Sequence, residues 1–119
     1  MIRSSALHMA AAFLGMGAWA VFANRAHGAE AWLAGAVQGA LSATITLFLK
    51  RMIEAVSACA RGAWRLVLPP VLAVAASFGI LTAVHGLAGT PEIAATIALP
   101  ISVTALYATG YAFALWRER

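Results

Sequence analysis

Four long apolar runs, each close to the thickness of a bilayer, constrain this chain more than any other feature. They cover residues 6–23, 31–49, 66–87 and 92–116, and short polar breaks separate them. At 1.5 Å of rise per residue, even the shortest makes roughly 27 Å of helix, against a hydrocarbon core of about 30 Å. The runs do not alternate and are too long for barrel strands, which need only about 9–11 residues. Composition agrees: 63% of the residues are hydrophobic and 10% charged. A soluble domain is typically about 45–50% apolar and about 25% charged, and a short chain has too little interior to hide the difference. The expectation is an all-α polytopic membrane protein: one domain over residues 1–119, with four transmembrane helices in an antiparallel bundle joined by short connections. The first run follows Arg3 like a signal peptide, but it is long for one and three more spans follow, so it reads as a retained helix.

Local signals punctuate the runs. Asn24 and Gly28 end the first. Lys50 and Arg51 close the second, where cations suit a helix C-terminus and a headgroup layer. Met52, Ile53, Val56 and Cys59 or Ala60 then share one face, which suggests an interfacial amphipathic extension. Pro69 and Pro70 fit the first turn of the third helix if it starts near Leu66, and would kink it if it starts at Trp64. Thr90-Pro91-Glu92 has the form of a helix start, with a capping hydroxyl, proline at the first position and an acid in the first turn. Pro100 should bend the fourth helix at the carbonyl of Thr96.

Charge orients the chain. The net charge is +4, carried by eight basic residues. Placing both ends in the cytoplasm puts Arg3, Lys50, Arg51, Arg61, Arg65, Arg117 and Arg119 inside and Arg25 alone outside. This N-in, C-in asymmetry argues against a dual-topology dimer. The basic residues sit between apolar runs, without the aromatic interleaving of a nucleic-acid groove, so nucleic acid is not an expected partner. Abundant alanine, with Arg favoured over Lys, suggests a bacterial source, and hence the inner membrane.

Helices in lipid associate through close contact and polar bridges. Gly35, Gly39 and Ala43 continue a small-residue strip from Ala31, and either another helix or another subunit could meet it. Ala75, Gly79 and Ala83 repeat the spacing on the third helix, Ala94, Ala98 and Ser102 on the fourth, and Ala11 and Gly15 belong to the first. Such a bundle should leave little room for a wide pore inside one copy.

Two polar strips remain. Gln38, Ser42 and Thr46 lie on the second helix. Glu92, Thr96, Pro100, Thr104, Tyr107 and Tyr111 lie on the fourth. The plain reading gives the threonines bonds to their own helix carbonyls and the tyrosines an interfacial seat. The alternative is a substrate path along Gln38, Ser42, Thr46, Thr96 and Thr104. His85 and Glu92, which flank a tight turn, would then stand at its outer end, where the substrate would enter, and handle a proton or a polar headgroup. Each also has a structural reading: Glu92 complements a helix dipole, and a buried Gln38 needs a hydrogen-bonding partner.

No catalytic triad, carboxylate pair or metal-ligand cluster has a recognised spacing, and Cys59 is the lone cysteine. An enzyme, a metal site and a cofactor are therefore not expected. The chain reads as a small transport or translocation component for a small or lipid-linked substrate, or as a non-catalytic accessory or assembly subunit. Its partners would be membrane lipid and either copies of itself or a larger membrane protein.

Overall fold

The computed structural model describes residues 2–118, with side chains from residue 6 onward. The Arg3 side chain and Arg119, both in the basic tally above, lie outside that range. Four α-helices follow in order: α1 (Ile2–Ala23), α2 (Ala29–Cys59), α3 (Trp64–Ala88) and α4 (Ile93–Arg117), with one 3-10 turn at Arg25–His27. All four are long and apolar enough to cross a membrane.

The interior mixes polar side chains with small and aliphatic ones, and the exterior is apolar, unlike that of a water-soluble bundle. Gln38, Ser77, His85, Asn24 and Thr96 are buried, whereas Leu14, Trp32, Leu106 and Leu87 are exposed, Leu87 to 90%. Hydrocarbon solvates leucine as well as a protein core does, so apolar side chains gain nothing by turning inward. Polar groups gain a partner, and they set which face of each helix points in.

This rule decides the packing rows. α2 packs against the other three helices. Its glycines meet α1: a Cβ on Gly39 would lie 2.9 Å from the Phe13 carbonyl oxygen, and one on Gly35 would collide with the Val21 side chain. On α1 the matching small residue is Gly17, where a Cβ would come 3.0 Å from the Gly35 carbonyl oxygen, while Gly15 faces open space. The strip through Gly35 and Gly39 is thus occupied from within the chain. Ala43, further along it, is half-buried.

α3 packs through Pro69, Ala73, Ser77, Leu81 and His85, a row two residues out of step with Ala75, Gly79 and Ala83. Those three face outward, and nothing lies within 4 Å of a Cβ at Gly79. Having His85 inside selects the row. α4 buries Thr96, Pro100, Thr104, Ala108 and Ala112, so its threonine face turns inward while Ala94, Ala98 and Ser102 turn outward.

Several boundaries differ from the sequence expectations. α3 begins at Trp64, which places Pro69 and Pro70 beyond the first turn, yet the helix is assigned without interruption. α4 likewise runs through Pro100. α2 extends to Cys59, 31 residues or roughly 46 Å at 1.5 Å each, well beyond a bilayer core. Its last turns are packed rather than laid flat in an interface: Ile53 and Ser57 are buried, and Arg65 at the start of α3 donates from Nε to the Ser57 carbonyl at 3.2 Å. The same guanidinium donates to the Leu115 carbonyl at 3.1 Å. One arginine therefore serves carbonyls near the C-terminal ends of both α2 and α4, groups that lack partners within their own helices.

Candidate functional site

Two polar networks occupy the end of the molecule that carries Asn24 and Thr90. In the first, Gln38 reaches from α2 to α3. Its Nε2 donates to Ser42 Oγ at 2.7 Å, which leaves Oε1 to accept from His85 Nε2 at 2.7 Å. That orientation assigns the ring proton to Nε2, so Nδ1 accepts from the Thr90 hydroxyl at 2.6 Å. The hydroxyl expected to cap α4 is thus committed to His85.

The cap comes instead from Asn24, at the end of α1. Its Oδ1 accepts from the Glu92 backbone N–H at 2.9 Å, and its Nδ2 donates to Thr96 Oγ1 at 2.7 Å and to the Ala20 carbonyl at 2.8 Å. Thr96 returns its proton to the Glu92 carbonyl at 2.6 Å. Every polar atom of Asn24 is engaged, as its complete burial requires. Glu92 itself is exposed and meets His27 at 3.0 Å, and Trp19 Nε1 donates to the Ala95 carbonyl at 2.9 Å.

The candidate path residues therefore separate into two groups. Gln38, Ser42 and His85 form one continuous chain of bonds. Thr96 and Glu92 belong to the Asn24 cap and face α1. Thr46 and Thr104 lie deeper, toward the Lys50 end, on the wall of a cavity.

That cavity is the principal open feature. A space of about 270 Å³ lies among the four helices, with Ser42, Thr46, Ser77, Pro100 and Thr104 in its wall. A second space of about 330 Å³ adjoins it and opens beside Lys50, Tyr107 and His8. The two share Ala11, Thr46, Leu49, Val103 and Thr104, so they form one groove between α1, α2 and α4. Neither His85 nor Gln38 lines it. Ser42 does, and Ser42 is the residue to which Gln38 donates. The groove thus ends against the first network. A small-residue strip on every helix implied little room for a wide pore inside one copy, and this space is a groove that stops at the first network. The space exists because only the α1–α2 seam uses its glycines, and the strips on α3 and α4 point away.

Ser77 Oγ, on the cavity wall, is buried without a hydrogen-bond partner among the described residues. At the groove mouth Lys50 pairs with Glu54 at 3.2 Å, and Glu54 also accepts a short hydrogen bond from Tyr111. Tyr107 stacks on Tyr111 with ring centroids 5.8 Å apart. The sequence marks Asn24 and Thr90 only as helix-end residues and nothing in it marks Ser77 or Arg65 as site residues; Asn24 and Arg65 act on segments 72 and 50 positions away. The one hint is that Asn24 is an amide at the exact edge of an apolar run. No group of three or more metal-ligating side chains occurs among the described residues.

No family model, curated protein or solved structure matches this chain.

Proposed function

We propose that the chain is a small translocation component of a bacterial inner membrane, with both ends in the cytoplasm. An amphipathic substrate enters the groove between α1, α2 and α4 from the cytoplasmic side. The Gln38–His85–Thr90 network is the outer closure that must part to release it. The observation that carries this reading is the groove itself, which runs within one copy from Lys50 to Ser77 and ends beneath that network. The charge bias supports the orientation, since the groove mouth lies at the basic end of the molecule.

The test is to fill the groove. Thr104→Trp places an indole where the two spaces join and should cut the flipping of a fluorescent amphipathic lipid severalfold in reconstituted vesicles. Helix content and yield should stay normal. Wild-type flux from a correctly folded Thr104→Trp protein would exclude the groove as the route.

A second reading, an accessory subunit, draws on the outward strip of Ala75, Gly79 and Ala83. Because Gly35 and Gly39 are occupied by α1, docking to a larger membrane protein would use α3. Gly79→Leu should then abolish copurification with that partner and leave the isolated chain folded. Undiminished copurification would remove this face as the docking surface.

A further inference from the structure

We propose that the groove mouth at Lys50, Tyr107 and His8 recognises the phosphate of a single-chain membrane lipid, whose hydrocarbon chain lies in the groove beyond. This inference rests on the translocation reading and names the substrate class of the same groove.

The mouth is built of donors. Lys50 carries three N–H groups and gives one to Glu54 Oε2. Glu54 shares its negative charge with the Tyr111 hydroxyl and does not line the groove. Lys50 thus keeps two donors for another acceptor. The Tyr107 hydroxyl has no hydrogen-bond partner among the described residues, and its ring is held in place by stacking on Tyr111. His8 adds an imidazole on the facing helix α1. Among the described residues no Asp or Glu lines either part of the groove, and the carboxylate beside the mouth, Glu54, is already held by Lys50 and Tyr111. An oxyanion with three oxygens finds an ammonium, a phenol and an imidazole.

Depth and wall chemistry extend the argument from an anion to a lipid. Lys50 directly follows the apolar run of α2, so the charge lies at the level of the headgroups. Beyond the mouth the walls turn apolar with Met9, Leu47, Leu49 and Val103, which suit a hydrocarbon chain and offer nothing to a free ion.

The experiment compares two ligands that differ only in phosphate. Lysophosphatidic acid and the monoacylglycerol of the same chain are titrated onto the full-length protein in mild detergent, and bound lipid is read by native mass spectrometry. Lysophosphatidic acid should be retained about tenfold more strongly, the factor expected for one charge-assisted hydrogen bond. Lys50→Gln should erase most of that preference, Tyr107→Phe should reduce it, and Arg51→Gln, at an exposed neighbour outside the groove, should leave it intact. Equal retention of the two lipids overturns the inference, as does an equal loss in Arg51→Gln, which would mark a diffuse basic surface. Displacement of the lipid by millimolar inorganic phosphate would reassign the mouth to the free anion and also overturn it. Circular dichroism of each variant separates loss of binding from loss of fold. Flux can fail while phosphate preference persists, which sinks only the translocation reading. Preference can fail while Thr104→Trp still blocks flux, which sinks only the headgroup assignment.

Discussion

Gly39→Leu should unfold the α1–α2 pair, at a cost of more than about 3 kcal/mol, the upper end for forcing extra methylenes into a packed interior. The first added carbon would already sit 2.9 Å from the Phe13 carbonyl oxygen and 3.2 Å from its ring. A side chain can rotate away, but a backbone carbonyl can yield only if α1 moves as a body. That movement would break the neighbouring contact, in which Gly17 and the Gly35 carbonyl approach as closely. Gly35→Leu should behave similarly, though the Val21 side chain gives some relief. Gly79→Leu is the control: it adds the same four carbons at an outward position, where the first meets nothing within 4 Å. The check is thermal or denaturant melting in detergent. Equal stability of the Gly39 and Gly79 variants would mean that the seam does not hold α1 to α2.

Gln38→Leu should cost about 2 kcal/mol, because it removes the acceptor of a fully buried imidazole N–H. Interhelical hydrogen bonds in membranes are generally weaker than this, about 0.6 kcal/mol on average and about 1.7 at most, since polar groups often find a substitute partner. Here the substitutes are few. His85 is 0% exposed and its other nitrogen is committed to Thr90. The larger figure therefore applies. The double variant Gln38→Leu/His85→Leu removes both partners and should recover more than about 1 kcal/mol relative to the sum of the single changes. Strict additivity would show that the two side chains do not act as a unit. The same variants bear on the proposed outer closure, since a loosened network should raise the leak of a small polar probe through reconstituted vesicles.

The four helices are legible in the sequence because length and hydropathy alone specify a bilayer-spanning helix. The inward faces are harder to read. In water, the apolar stripe of a helix marks its buried side; in lipid that signal is lost, and small-residue strips take its place. Gly35 and Gly39 face α1. Ala75 and Gly79 face away from the other helices of the chain, because α3 turns by the demand of His85 rather than by the size of its small residues. The polar strips located Gln38, Ser42, Thr46 and Thr104 near the cavity, since a buried amide or hydroxyl must face protein. Glu92 and Thr96 went to a different network because their partner, Asn24, is 72 positions from Thr96 along the chain. Thr90 shows the limit of local patterns: the Thr-Pro-Glu sequence does precede a helix, but that helix starts at Ile93 with Glu92 at its N-cap, two residues past Thr90, whose hydroxyl donates to His85 instead.

The bonds between α1 and α4 are spaced unevenly. Trp19 and Asn24 bridge the pair near one end, and His8 and Tyr107 stand across open space near the other. The pair is joined at the Asn24 end and open at the Lys50 end, so anything lodged between α1 and α4 lies on the Lys50 side of that fastening.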